Sequence, residues 1–181
     1  MLRLQAWLVA AGFLVVDFIT KRMVLAHADT LRFDRVEVLG DFFRLAYVRN
    51  PGAAMGLTPF GRWALVGISA VAAVLLIWFL VVTPTRLRWR RLAMGLILGG
   101  AVGNLVDRVF YDGLVVDFLD FGLGASRFWT FNVADIGVTC GGALLLLCLL
   151  GDEMRERRER ADAASAASAA AAEPSADRDH E

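Results

Sequence analysis

Residues 63–82 read WALVGISAVAAVLLIWFLVV, twenty positions without a single charge. About 20 predominantly apolar residues of α-helix cross the hydrocarbon core of a bilayer, so this run reads as a membrane span. Three more apolar runs flank it. Residues 4–25 are interrupted by Asp17, Lys21 and Arg22; residues 92–110 carry Asp107 and Arg108 near their end; residues 131–150 carry Asp135 near their start. The whole chain agrees, with 181 residues, 57% apolar and 21% charged, and a mean hydropathy of +0.56. A soluble domain would show about 45–50% apolar and about 25% charged residues. The expected fold is an all-α membrane protein, a four-transmembrane-helix bundle over residues 1–151, with a charged and Ala-rich tail over 152–181.

Composition also excludes partners. Nineteen basic and nineteen acidic side chains cancel, which leaves no basic footprint for nucleic acid. Cys140 and Cys148, the only cysteines, lie in one apolar run with no His beside them. They read as small buried hydrophobes, with no disulfide framework and no metal site. Ala26-His27-Ala28 resembles a signal-peptide cleavage site, but Asp17, Lys21 and Arg22 stand where such a peptide stays uncharged, so the first run is read as an uncleaved helix.

Basic residues set the orientation. The loop between spans two and three holds Arg86, Arg88, Arg90 and Arg91 without an acid, and Arg155, Arg157, Arg158 and Arg160 follow span four. Dense positive charge beside a span marks the cytoplasmic side, so both termini are expected there. Residues 27–62 and 111–130 then lie outside. The first is too long for a simple connector. Within it, residues 35–39 alternate polar and apolar, residues 43–48 do so more loosely, and Gly40-Asp41 separates the two. A small external β-hairpin between the first two helices follows, closed by a turn at Asn50-Pro51-Gly52. Trp63 and Trp129 fall where an aromatic belt or simple packing would place them. The tail beyond 151 is poor in complexity and is expected to be disordered, cytoplasmic and without a catalytic role.

The polar residues of the spans carry the chemistry. An ionised group near the bilayer centre costs about 2.5–3.5 kcal/mol on insertion scales, which makes each one a functional suspect. With alternating topology, Asp17 and Lys21, then Asn104, Asp107 and Arg108, and finally Asn132 and Asp135 all fall toward the external face. A polar cavity sunk just below the outer surface is the simplest arrangement. Asp17 and Lys21 stand four apart and can pair; Asn104, Asp107 and Arg108 share a helix face. Gly95, Gly99 and Gly103, like Gly137 and Gly141, repeat every four residues and allow helices to approach closely. Asp107 beside Arg108 and Asp17 with Lys21 fit an ion-pair lattice as well as a site. Asp117 and Asp135 have no basic residue within one helical turn in sequence, and two such acids face to face would share a proton. Eighteen residues separate them, so the residues alone leave a catalytic pair and a scaffold both open.

Other arrangements are weaker. His27 lies near the surface and His180 in the tail, leaving no Ser-His-Asp triad. Lys21, the only lysine, is at the wrong depth for Ser69. Asp117 and Asp120, with Asp107 nearby, have a D-x-x-D spacing that a magnesium-dependent lipid phosphotransferase could use. A transporter or proton relay and a purely structural membrane protein are the non-enzyme alternatives.

Five ordered motifs then narrow the field. They are Asp17-x-x-x-Lys21; Asn50-Pro51-Gly52-Ala53-Ala54-x-Gly56; Gly99-Gly100-Ala101-x-Gly103-Asn104-x-x-Asp107-Arg108; Val115-Val116-Asp117-Phe118; and Phe131-Asn132-x-Ala134-Asp135. In this order on a four-span chain, they resemble the bacterial lipoprotein signal peptidases, over roughly residues 5–151. The resemblance implies an aspartic endopeptidase of the inner membrane whose catalytic acids match Asp117 and Asp135. It implies a lipid-modified prolipoprotein as substrate, cut before its diacylglyceryl cysteine, with membrane lipid as the other partner. No metal or cofactor is implied. Asp17, Lys21, Asn50, Gly52, Asn104, Arg108 and Asn132 match positions that bind substrate or organise the site, and Asp107 looks structural. Ala54-Met55 replaces a more usual Ala-Phe, and the Ala-rich tail is outside the pattern.

Overall fold

A computed structural model describes residues 2–52 and 61–172. In chain order the elements are α1 (Leu2–Ala26), α2 (Ala28–Phe33), β1 (Val36–Leu39), β2 (Phe43–Asn50), α3 (Gly61–Val82), α4 (Arg88–Phe110), β3 (Val115–Leu123), β4 (Ser126–Arg127) and α5 (Val133–Ala172). The Ala53–Gly56 part of the second motif, Met55 included, and residues 173–181 lie outside the described residues. Among the described residues, three helical stretches are long and apolar enough to cross a membrane: Trp63–Val82, Arg88–Phe110 and Val133–Ser165. The helix α1 is equally long but carries Asp17, Lys21 and Arg22 in its last ten residues.

The centre of the unit spanning residues 1–145 is α4. Its glycines replace side chains with backbone contact. A Cβ at Gly95 would collide with the Ala6 carbonyl, and one at Gly99 would lie 2.6 Å from the carbonyl oxygen of Ala10, both on α1. Gly100 meets the Ala134 carbonyl of α5 in the same way, and a Cβ at Gly141 on α5 would lie 2.7 Å from the Ala93 carbonyl oxygen. The four-residue glycine spacing therefore does what small residues do between membrane helices, where close packing rather than hydrophobic burial drives association. Ala73 and Leu80 of α3 join Ala6, Ala10, Met94 and Leu98 in one apolar cluster. The rest of α3 points away: Ile68, Val71, Val74 and Val81 are 60–66% exposed. That is a surface made for lipid, and it explains a span with no charge at all.

The segments between the long helices build a four-stranded antiparallel sheet in the order β1-β2-β3-β4. The hairpin expected between the first two helices is β1–β2, but the sheet is larger, because residues 115–127 supply β3 and β4. The protein is thus mostly helical with a small sheet, not all-α. Alternation could not reveal β3, since Val115 to Phe118 are all buried and a strand covered on both faces reads as a continuous apolar run. The buried Leu31 of α2 packs with Val24, Tyr47, Val116 and Phe118 beneath the sheet.

Strand β2 contains a bulge. Leu45 pairs with Leu119 and Val48 with Asp117, so three steps along β2 match two along β3. One extra residue reverses which side chains share a face. In an unbulged strand Arg49 would stand opposite Val115, on the face of Asp117; here that place falls to Asn50.

Residues 146–181 form a second unit. Composition predicted disorder from residue 152, whereas the helix continues to Ala172. Alanine has the highest helix propensity, and pairs spaced i, i+4 add support: Glu153–Arg157 at 2.6 Å, Arg155–Glu159 at 2.9 Å and Glu156–Arg160 at 3.5 Å.

Candidate active site

The site begins where α5 begins. Asn132 precedes the helix, and its Oδ1 accepts the backbone N–H of Asp135 at 3.0 Å, while Asp135 Oδ2 accepts the backbone N–H of Asn132 at 3.1 Å. This is a reciprocal capping box, with an Asp in the place more often held by Glu. Phe131 pairs its backbone with Leu119 of β3, donating at 3.1 Å and accepting at 2.8 Å. That pairing carries Asn132 alongside Asp117, to which its Nδ2 donates at 2.6 Å.

Asp117 receives a second donor across the sheet. Asn50 Nδ2 bonds its other oxygen at 2.8 Å, a diagonal contact available only because the bulge turned Asn50 to this face. Asn50 Oδ1 in turn accepts the backbone N–H of Gly52 at 2.9 Å, an Asx-type turn that fixes the amide. Gly52 has φ +82°, and a Cβ there would lie 3.1 Å from Arg108 Nη2 and 3.0 Å from Leu65 Cδ1. Only glycine fits both the backbone conformation and the space.

Beneath the two acids lies a buried ionic layer. Lys21, 2% exposed, contacts Asp17 Oδ2 at 2.8 Å, Asp107 Oδ2 at 2.9 Å and Asn104 Oδ1 at 3.0 Å. Asp17 Oδ1 accepts the backbone N–H of Ala134 at 2.8 Å, and Asp107 Oδ2 that of Val116 at 3.1 Å. Asn104 Nδ2 donates to Asp135 Oδ1 at 2.8 Å. The pairing of Asp107 is a correction to the lattice suggested by sequence: its cation is Lys21 and not Arg108, because adjacent residues on a helix do not face each other. Arg108 Nη1 instead reaches the Asn104 carbonyl at 3.3 Å, and its Nε has no hydrogen-bond partner among the described residues.

Asp117 and Asp135 open on one cavity of about 670 Å³. Asn50, Asn104 and Arg108 complete its polar side; Phe128, Trp129, Phe131 and Ile136 make its apolar side, with Thr139 and Cys140 one turn farther along α5. Burial pushes the Asp117 carboxyl from 3.8 up to about 6. The Asn50 bond opposes this, the negative charge of Asp135 adds to it, and the Asn132 bond and the Lys21 charge oppose it again.

Several expectations resolve on this geometry. Asp17, Lys21, Asn50, Gly52, Asn104, Asp107, Arg108, Asp117, Asn132 and Asp135 form one connected cluster. Cys140 is exposed, not buried, because it shares the cavity face of α5 with Ile136 and Thr139. Trp63 and Trp129 are 60% and 73% exposed, and Trp129 keeps a ring contact with Phe128 at 4.8 Å between centroids. The hydrogen-bonding capacity of Lys21 is taken up by Asp17, Asp107 and Asn104, leaving none for Ser69. Asp117 and Asp120, three apart on a strand, point to opposite faces, and Asp120 is held by Arg127 at 3.0 Å, Arg35 at 3.4 Å and Arg44 at 3.5 Å. Sequence reading missed that arginine cluster, to which Asp41 also belongs through Arg44 and Arg127. It also missed the backbone amides of Val116 and Ala134 as partners of the buried acids.

The family model for signal peptidase II matches residues 9–151. The chain belongs to the signal peptidase II family. It is 43% identical to a lipoprotein signal peptidase of Symbiobacterium thermophilum over 75% of this chain and 88% of that one. It is 37% identical to one from Desulfitobacterium hafniense, over 83% and 96%. Two solved bacterial membrane enzymes, determined by the in meso method at 2.3 and 1.9 Å resolution, share the fold with TM-scores of 0.73 and 0.72. Each is 30% identical over 82% of this chain, covering 89% and 94% of the respective solved chains. As a member of this family the chain is a membrane peptidase, and every described residue of the cluster lies inside the matched region.

Proposed function

We propose that this peptidase is an aspartic endopeptidase of the bacterial inner membrane, which cuts prolipoproteins just before the diacylglyceryl-modified cysteine, with Asp117 and Asp135 as its catalytic pair. The observation that carries the reading is the shared setting of the two acids. They line one cavity, are cross-linked through Asn132, and differ in environment, one buried on a strand and the other at a helix N-terminus. Two carboxyls in unlike settings divide the work of acid and base. Asp117, pushed up to about 6, holds the proton and polarises the scissile carbonyl. Asp135, with N–H donors on both oxygens, takes a proton from water. No covalent intermediate is needed.

The helix α1 serves as a fourth span. Its charged residues Asp17 and Lys21, 1% and 2% exposed, are spent on each other and on α4 and α5, so neither has to face lipid, while the exposed Arg22 reaches the Tyr111 hydroxyl. Four spans and the basic flanks put both termini in the cytoplasm and the cavity near the external surface. A lipid-bearing cysteine is held at that depth. Its acyl chains stay in the bilayer beside the apolar side of the cavity while the peptide bond reaches the acids. Arg108 and Asn104 bind or align the substrate, and no metal takes part.

The test is cleavage of a diacylglyceryl-modified prolipoprotein by the purified protein in detergent, with and without chelator. Cleavage before the lipidated cysteine should be indifferent to chelator and lost in Asp117→Asn and in Asp135→Asn while both remain folded. Undiminished cleavage by either variant would sink the assignment of the pair.

A further inference from the structure

Taking Asp117 and Asp135 as the working acids, we propose that Lys21 is a positioning residue that fixes the donor–acceptor sense of the asparagine network, so that both acids are met by N–H groups. An ammonium has three donors and no acceptor, whereas an amide side chain has one end of each kind. The three contacts of Lys21 go to Asp17, Asp107 and Asn104 Oδ1. With an ammonium on one side, Asn104 can turn only its oxygen that way. Its Nδ2 must then face Asp135 Oδ1, where it sits at 2.8 Å.

The same oxygen accepts Asn132 Nδ2 at 3.2 Å, so the sense passes on. Asn132 keeps its nitrogen toward Asn104 and Asp117 and its oxygen toward the Asp135 backbone N–H. Lys21 also acts through backbone. Its two carboxylate partners hold the N–H groups of Ala134 and Val116, the residues immediately before Asp135 and Asp117. One ammonium, touching neither acid, thus governs the placement of both.

Without Lys21 the sense of the Asn104 amide rests on the longer, uncharged bond from Asn132 Nδ2 at 3.2 Å alone, and the amide can turn end for end. Its oxygen would then oppose Asp135 Oδ1, an arrangement that holds only with a proton between them. Loss of Lys21 therefore favours the state in which Asp135 no longer acts as a base, and activity should fail earlier as pH is lowered. The charged groups around the ammonium are Asp17 on α1 and Asp107 on α4 in direct contact, Asp135 on α5 beyond Asn104, Asp117 on β3, and Arg108 one step along α4 from Asp107.

The experiment measures pH profiles of cleavage by full-length protein in detergent, with a diacylglyceryl-modified prolipoprotein, for wild type, Lys21→Met, Asn104→Leu and the double variant. Thermal unfolding is read on the same samples. Losing a hydrogen bond to a charged group is worth about 10–100-fold in rate. Lys21→Met should lower kcat by that factor, leave KM within about twofold and move the acid limb of the profile to higher pH. Adding Asn104→Leu should cost little more, because the two act in series. Lys21→Met leaves two carboxylates facing each other, so the charge-balanced Lys21→Met/Asp107→Asn protein is measured alongside, and its limb should move the same way. An unmoved acid limb in the folded variants, or strictly additive losses, overturns the proposal. If Asp117→Asn or Asp135→Asn still cleaves, it is the assignment of the acids that fails instead.

Discussion

Gly103→Ala offers a quantitative test of the packing beneath the site. A Cβ at Gly103 would lie 2.6 Å from Asp17 Oδ2, 3.2 Å from Asp17 Cγ and 3.4 Å from Ala134 Cβ. The methyl cannot be absorbed by a flexible chain end, because Asp17 is held on one oxygen by Lys21 and on the other by the Ala134 backbone N–H, both at 2.8 Å. Either the carboxylate moves and loses one of these bonds, or α4 moves away from α1. Overpacking costs about 1–3 kcal/mol and a lost charge-assisted hydrogen bond about 1.5–3 kcal/mol. The sum, about 2.5–6 kcal/mol, corresponds to a fall in Tm of roughly 5–24 °C for a chain of this size. Gly12→Ala is the control. Nothing lies within 4 Å of a Cβ there, and Ala gains about 0.5–1 kcal/mol over Gly in a helix. Thermal unfolding in detergent, followed by tryptophan fluorescence, should show the same substitution acting with opposite signs. If Gly103→Ala unfolds within a degree or two of Gly12→Ala, the ionic layer is not the rigid body described.

Further outcomes can be checked with the same assays. The rate of cleavage, as kcat/KM, should fall as pH rises through about 6, where Asp117 loses its proton; Asn50→Ala removes the leading downward influence and should move that limb up. The folded pKa lies above the unfolded 3.8, so the contribution of Asp117 to stability is full below 3.8 and is lost as pH rises through about 6, an effect of roughly 3 kcal/mol visible in denaturation against pH. Asn132→Ala removes a helix cap, which costs about 0.5–2 kcal/mol, together with the 2.6 Å bond to Asp117, so it should lose both stability and cleavage; wild-type melting would refute the capping role. A chain ended after Gly151 should cleave at the full rate, since residues 146–181 form a unit of their own, and a loss of activity would assign the tail a function.

Legibility from sequence followed the physics of each feature. Length and apolarity declare membrane spans, so α3, α4 and the first part of α5 were plain. Fixed spacing declares helical neighbours, so Asp17 and Lys21 could be paired, and the glycine rows read as contact surfaces. The sharing of one cavity by Asp117 and Asp135 was not readable from spacing, because it depends on the backbone pairing of Phe131 with Leu119, and the Asn50 contact with Asp117 depends on a bulge in β2. Neither leaves a local signature. Strand β3 hid because burial on both faces erases alternation. The choice of Lys21 over Arg108 by Asp107 is settled by helix geometry between α1 and α4. The helix beyond Leu150 was obscured by composition, since Ala with paired Glu and Arg resembles a tail that cannot fold until the i, i+4 pairs are counted.

The reciprocal cap at the start of α5 bears on how such a site could escape an inhibitor. A ligand that seizes Asp135 and Asn132 does so through the groups that begin a membrane helix. A substitution at either position that weakens the ligand also loosens the helix end and turns an asparagine away from Asp117. Tolerated resistance should therefore arise on the other wall, at Phe128, Trp129 or Ile136, whose side chains line the cavity without holding the backbone of α5. An inhibitor that gains its affinity from the asparagine–aspartate cluster, and little from that wall, leaves few viable routes for selection.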